Sequence, residues 1–438
     1  MASSSKPISS LRWWIGGLLF ASTVINYIDR QTLSLLAPYL KLQYHWTNSD
    51  YANLLIAFRV AYSIGQSVFG RMMDRIGTRR GLTITVICYS VVSMATSLAR
   101  GFYSFATFRF LLGAGESANW PAATKAVSEW FPKRERALAT ALFDSGSSIG
   151  GAIAPFIVLG IYFRWGWRPA FAVPGVLGFF WLIAWRGLYH RPEGHRRISA
   201  SERGMILADR HDPDTHTTAQ VCPRWSDLLK LPQVWGTIIA KSFTDPVFFF
   251  IAEWIAVYLR TKGIELKTGL LGLMTIWIPF VAADAGSFFA GWFSGYLIRR
   301  GVSLGSARKV PVVYGGIGMT VLILTIFTNN QYVIAFLFAV VTFTYAGFTI
   351  VANTLPADLF ESGSVASVSG LGGTATGLGT ILATKVVGYV SDIRQGTGVH
   401  SFDPIVITAG IVPLIGMVLV LVLVRNNEAT ERGLVRRI

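Results

Sequence analysis

Cysteine is almost missing from this chain: two in 438 residues, Cys88 and Cys222. That excludes a disulfide framework and a thiolate metal site, and both are read as structural. Charge is scarce as well, at 14% Asp, Glu, Lys and Arg, against about 25% in an ordinary soluble domain. Acidic residues are the scarcer sign, 23 against 39 basic, for a net charge of +16. Enzyme signatures are absent too. No helix carries a metal-ligand motif and no phosphate-binding loop ends in Lys-Ser/Thr, so catalytic residues, bound metal and resident cofactors are not expected.

What the chain has instead is apolar length: 52% hydrophobic and 13% aromatic residues. A bilayer core about 30 Å thick needs about 20 apolar residues per helix. Twelve such stretches are read, at 13–37, 49–69, 81–99, 102–129, 137–161, 168–189, 233–258, 268–298, 310–328, 331–355, 364–390 and 404–424. The runs are too long and too little alternating for barrel strands. The expected fold class is therefore an all-α membrane protein with twelve transmembrane helices in two six-helix bundles. The division is 1–189, a cytoplasmic linker 190–231, and 232–438.

The basic charge reports topology and not nucleic acid. With the N-terminus inside, and Arg168 and Arg186 at the ends of the sixth span counted with the segments they flank, cytoplasmic segments hold 25 Lys and Arg and the outer loops hold 8. This asymmetry puts both termini in the cytoplasm. The segment before the first span is short and polar, and that span is too long for the apolar core of a cleavable leader. The 190–231 stretch holds His190, His195, His211 and His216, but without ligand-like spacing it reads as a solvated linker.

Four charges interrupt apolar runs: Asp29 and Arg30 in the first span, Arg109 and Glu116 in the fourth. Each costs roughly 2.5–3.5 kcal/mol at bilayer depth on insertion scales, so a polar cavity is a better home than lipid. Arg109 and Glu116 are two turns apart on one face, about 10 Å in height. Arg30 shares a face with Asn26. As a planar fork that grips a carboxylate with two hydrogen bonds, Arg30 is the first choice for anchoring an anion. Arg109 is either a second clamp or a partner for a carboxylate.

Arg59 lies at a depth similar to that of Arg109, with Tyr62 and Gln66 on the same stripe. It either holds a second acidic group of the substrate or turns outward. Lys241 and Asp245, four apart in the seventh span, either neutralise each other or leave Lys241 facing substrate. Asn119, Asn353, Tyr27 and Tyr345 offer hydrogen bonds suited to a polyhydroxylated ligand, and Trp120 a stacking surface. Asp144, Glu253, Asp284 and Lys385 also lie within spans and receive no role.

The two halves echo each other weakly. Gly70-Arg-Met-Met-Asp74-Arg75-Ile-Gly77-Thr-Arg79-Arg80-Gly81 joins spans two and three, and Gly291-Trp-Phe-Ser-Gly295 with Arg299-Arg300-Gly301 joins eight and nine. On these residues the chain resembles the major facilitator superfamily. Asn26-Tyr-Ile-Asp29-Arg30, Arg109-Phe-Leu-Leu-Gly-Ala-Gly-Glu116 and Trp130-Phe-Pro-Lys-Arg-Glu-Arg-Ala137 narrow the likeness to its anion:cation symporter branch. Gly146-Ser-Ser-Ile-Gly150 with Pro155, and Thr244-Asp245-Pro246, bring it nearest the hexuronate type.

The resemblance implies a proton-coupled symporter of a bacterial inner membrane, importing a sugar acid, most readily galacturonate or glucuronate, by alternating access. Another organic anion (an aldonate, a dicarboxylate or an aromatic acid) is the alternative. It implies Arg30 as substrate anchor and Asp29 with Glu116 as proton carriers, with protons as the coupling ion. A monomer in membrane lipid, with a small anionic substrate and no nucleic acid, is expected. Asp74, Arg75 and Arg79 are expected to gate the inner face. Asp358 and Glu361, the acids of a loop without Lys or Arg, would pair with the basic 71–80 or 133–136 loop. Gly-rich spans five and eleven read as sliding or tightly packed surfaces.

Overall fold

Apolar runs of this length satisfy their own backbone hydrogen bonds in a bilayer only as helices or closed barrels, and here they form helices. The computed structural model describes residues 8–46, 48–208, 223–264, 270–360, 362–393, 400 and 402–424. Packing divides the chain into two compact units, 1–223 with 360–374, and 224–359 with 375–438. In the first lie α1 (Leu11–Tyr44), α2 (Asn48–Ile76), α3 (Thr78–Thr96), α4 (Phe102–Glu116), α5 (Asn119–Trp130), α6 (Lys133–Trp165), α7 (Trp167–Leu188) and α8 (Ala200–Ala208). In the second lie α9 (Trp225–Leu228), α10 (Pro232–Ser242), α11 (Asp245–Thr261), α12 (Leu270–Arg299), α13 (Leu304–Gly318), a 3-10 stretch Met319–Phe327, α14 (Gln331–Leu359) and α16 (Asp403–Leu423). The helix α15 (Val365–Ile393) contributes its first turns to the first unit and the rest to the second.

The twelve spans read from sequence coincide with these elements. Spans four and seven are each broken, after Glu116 and before Asp245, and span nine passes from α13 into the 3-10 stretch. Among the described residues, seven helical stretches are long and apolar enough to cross a membrane by length and composition alone. The helices α1 and α4, which carry the four intramembrane charges, fall outside those seven. The echo between halves is visible in the backbone. Gly77 (φ 83°) ends α2 and Gly301 (φ 87°) follows α12, both in the left-handed region that glycine enters without a Cβ penalty.

Glycines set how closely the helices of the first unit approach. A Cβ on Gly150 of α6 would lie 2.7 Å from the Val24 carbonyl oxygen of α1. Gly113 of α4 packs directly on the backbone of Phe58 in α2, and Gly370 of α15 on the carbonyl of Gln66. Gly146 and Gly150 of span five, and Gly370 and Gly373 of span eleven, are therefore points of tight helix contact.

The stretch after α7 departs from a solvated linker. Residues 192–208 fold onto the end of the first unit, burying Ile198, Ile206, His195 and Glu202. The Glu202 carboxylate caps α1 by accepting the backbone N–H groups of Leu11 (3.0 Å) and Arg12 (3.1 Å). Arg12 then bridges Glu202 (2.8 Å) and Glu135 of α6 (2.7 Å). The His195 ring lies 2.9 Å from the Leu188 carbonyl and accepts the Arg197 N–H, a packing role and not a ligand's. Burial, with Arg79 and His195 nearby, holds the neighbouring His190 imidazole below its ordinary pKa. His211, His216 and Cys222 lie outside the described residues, and Cys88 is exposed on α3.

Candidate functional site

The four charges converge in the first unit. Arg30 of α1 donates from Nε to Glu116 Oε2 at 2.6 Å, where α4 ends. Glu116 has no exposed surface, whereas 20% of the Arg30 side chain remains accessible. Three aromatic rings surround that guanidinium: Tyr62 at 4.4 Å, Tyr27 at 5.0 Å and Phe58 at 5.2 Å from its carbon to their centroids. Cation–π contacts of this kind hold a desolvated arginine in place without using its hydrogen-bond donors.

Phe58 is the keystone that sequence reading passed over. Gly113 lets α4 rest on its backbone, and its ring then lies between Arg30 and Arg109, 5.3 Å from the latter. Arg109 donates one nitrogen, Nη2, to the Arg30 carbonyl at 3.3 Å, while Nε and Nη1 have no hydrogen-bond partner. It faces Asp29 and Glu116 without a salt bridge to either. Asp29 is buried beside Ser93 of α3, with both carboxylate oxygens unpartnered.

The other expected residues scatter. Asn26 is buried one turn from Asp29 and Arg30. Asn119 is a clip between helices, accepting from Ser22 at 2.7 Å and donating to Thr23 at 3.3 Å. Trp120 packs edge-on against Phe143 at 5.2 Å. Arg59, Tyr62 and Gln66 do not share one environment: Arg59 is exposed, Tyr62 half-buried beneath Arg30, and Gln66 buried against Gly370 and Gly373. The three part because α15 packs on Gln66, toward the C-terminal end of α2. Tyr62 alone of the three joins the arginine site.

In the second unit, Asp245 begins α11 after the break and accepts a hydrogen bond from the Tyr345 hydroxyl at 3.0 Å. Lys241, one turn earlier and half-buried, acts electrostatically on that carboxylate, in keeping with mutual neutralisation. Phe248 stacks on Tyr345 at 5.0 Å, and Asn353 is buried two turns further along α14. Among the residues read as having no role, Asp144 and Asp284 are half-buried and Lys385 is exposed; the Glu253 side chain is outside the described set.

The expected gate residues also separate. Asp74 is buried, ion-paired to Lys125 at 2.7 Å, and accepts the backbone N–H groups of Ala366 (3.2 Å) and Ser367 (2.6 Å) at the start of α15. Lys125 also donates to the Ser362 carbonyl. Glu129, one turn on, receives Thr78 (3.1 Å), Ser362 (3.2 Å) and the Tyr189 hydroxyl. Arg75 is exposed, and Arg79 donates to the Arg186 carbonyl at 2.7 Å. Asp358, expected to meet a basic loop, has a partner on a neighbouring helix here. It is bound inside its own unit by Arg308 at 2.7 Å, which also donates to Ser294. The first turn of α13 brings that arginine to the end of α14, a neighbour that linear spacing does not reveal. Glu361 lies outside the described residues.

Comparison with known proteins follows the same lines. The family described as Major Facilitator Superfamily matches residues 19–384. The Hexuronate transporter of Escherichia coli (strain K12) is 29% identical over 97% of each chain. The Galacturonate transporter of Dickeya chrysanthemi is 31% identical over 71% of this chain and 90% of its own. The D-galactonate transporter of Escherichia coli O6:H1 is 29% identical over 93% of this chain and 94% of its own. Among solved structures, a proton:xylose symporter aligns with a TM-score of 0.70 over 94% of this chain and 95% of its own. At 15% identity that likeness speaks for the fold alone.

Proposed function

Because this chain belongs to the major facilitator superfamily, as a multi-pass membrane carrier and not an enzyme, we propose that it imports a sugar acid together with protons by alternating access. The carrying observation is the ion pair of Arg30 with fully buried Glu116, ringed by Tyr27, Phe58 and Tyr62. A substrate carboxylate binds the fork of Arg30 in competition with Glu116. A buried carboxylate that loses its cation is strongly disfavoured, and taking up a proton removes the charge. Substrate binding and proton binding thereby become one event. Protons are the coupling ion, with Asp29 and Glu116 as carriers and no other cofactor.

A hexuronate is the preferred substrate, since the hexuronate and galacturonate transporters stand among the relatives. An aldonate or aldarate is the second reading, favoured by relatives named for D-galactonate and for galactarate/D-glucarate. The carrier works as a monomer in the bacterial inner membrane, with both termini in the cytoplasm, as the loop charges require.

Purified carrier in liposomes tests this directly. Labelled galacturonate uptake should rise with an imposed inward proton gradient and fall with unlabelled glucuronate, galactonate or galactarate in order of affinity. Glu116→Gln should abolish accumulation against a gradient. If the variant still concentrates substrate with the parent's dependence on the proton gradient, Glu116 is not the coupling group; if no sugar acid competes, the substrate class is wrong.

A further inference from the structure

Around the Arg30–Glu116 pair lies a group of buried polar atoms whose hydrogen bonds the substrate reading leaves unaccounted for. Asn26 has neither amide atom hydrogen-bonded, Asp29 has neither carboxylate oxygen, and Glu116 Oε1 has no partner. The Tyr89 hydroxyl, on α3, is in the same condition. These are not scattered. Tyr89 lies beside Ser22 and Asn26, and its hydroxyl is within electrostatic reach of both Asp29 and Glu116.

Considerable packing is arranged around this one side chain. Tyr89 is 2% exposed, and a Cβ on Gly115 of α4 would approach its own Cβ to 3.0 Å. On the other side, a Cβ on Gly178 of α7 would lie 3.5 Å from its ring. Gly115 makes room for the tyrosine, while Gly178 chiefly makes room for the neighbouring Ser90, whose hydroxyl a Cβ there would overlap. If only a ring were required, phenylalanine would fill the space without burying an unsatisfied hydroxyl, at a cost of about 1–3 kcal/mol. Buried polar groups that face one another without protein partners are bridged by ordered water when the site is polar and roomy enough.

We propose that Tyr89, with Asn26, holds water between Asp29 and Glu116 and relays the coupling proton from one carboxyl group to the other. This rests on the proton-symport reading above. The transfer balances: protonated Glu116 gives its proton to the water, the water gives one to the Tyr89 oxygen, and Tyr89 passes its own to the Asp29 carboxylate. The sum is one neutral and one charged carboxyl group before and after, reversed in the return direction. Arg30 and Arg109 face the same carboxylates, and Tyr27 and Tyr62 border Arg30. Arg30 can therefore engage substrate on its exposed side while the proton moves between the two carboxyl groups. Tyr89 is a positioning and relay residue and does not touch substrate.

The test is Tyr89→Phe in proteoliposomes, with labelled galacturonate as probe, or galactonate where that is the better substrate. Two rates are read: net uptake driven by a proton gradient, and exchange of labelled for unlabelled substrate at equal pH, which needs no net proton transfer. Net uptake should slow about tenfold or more, as for a lost proton-transfer group that water replaces only in part. Exchange should stay within about twofold, and the protein should elute as the parent does. Asn26→Leu should slow the same rate by a smaller factor.

Net uptake by Tyr89→Phe equal to the parent's overturns the relay while the symport reading stands. Equal loss of exchange and net uptake overturns it as well, by making the hydroxyl merely structural. Parent uptake that ignores the proton gradient overturns both readings together.

Discussion

Lys125 and Asp74 form an ion pair, 2.7 Å long, in which neither side chain has any exposed surface. Both members of the pair have further hydrogen-bond partners. The lysine also donates to the Ser362 carbonyl, and the aspartate takes two backbone N–H groups at the start of α15. Lys125→Met should therefore cost roughly 3–5 kcal/mol, the effect of leaving a buried charge uncompensated. Adding Asp74→Asn to it should restore much of the thermal stability in detergent. A Lys125→Met protein as stable as the parent would contradict the burial.

Arg30→Lys keeps the charge but loses the planar fork. If that fork grips the substrate carboxylate, half-saturation should move to about 10–100-fold higher concentration, the equivalent of about 1.5–3 kcal/mol for a charge-assisted hydrogen bond. Binding measured by quenching of tryptophan fluorescence checks it. Unchanged affinity would remove Arg30 from the substrate.

Arg308 and Asp358 repeat, in the second unit, the theme of a buried pair at a helix end. Removing one partner, as in Asp358→Ala, should lower the melting temperature more than the double change Arg308→Met with Asp358→Leu, because the single change strands a cation. The reverse order would show the pair to be dispensable packing.

Arg59 is exposed on α2, outside the aromatic ring around Arg30. Arg59→Ala should leave uptake of monoacids within about twofold, the small effect expected at an exposed position. A loss confined to diacid substrates would return Arg59 to the binding site.

Sequence reading located the charges because each is an energetic anomaly within an apolar run, and length and periodicity located the helices. Which helix faces meet was another matter. Arg30 and Glu116 are 86 residues apart, Asp74 and Lys125 51, and Arg308 and Asp358 50. Helical spacing reports neighbours within one helix, so Arg109 and Glu116 could be related and Arg30 and Glu116 could only be guessed. Nothing in linear spacing singles out Tyr89 and Phe58 among the aromatic residues; Gly115 and Gly113, which bring α4 against them, do so only in the fold. The 192–208 cap was hidden for a different reason. Its apolar anchors, Ile198 and Ile206, are too few to form a periodic signal amid arginines and serines.

The clasp of Arg12 with Glu135 and Glu202 bears on how the chain is made. The first turn of α1 is capped by a carboxylate 191 residues further along. During synthesis that turn emerges early, yet its N–H groups meet their partner only after six helices have been inserted. The N-terminal end of the first helix should thus stay frayed on the ribosome until α8 appears, and a chain stopped before Glu202 would leave it open to protease.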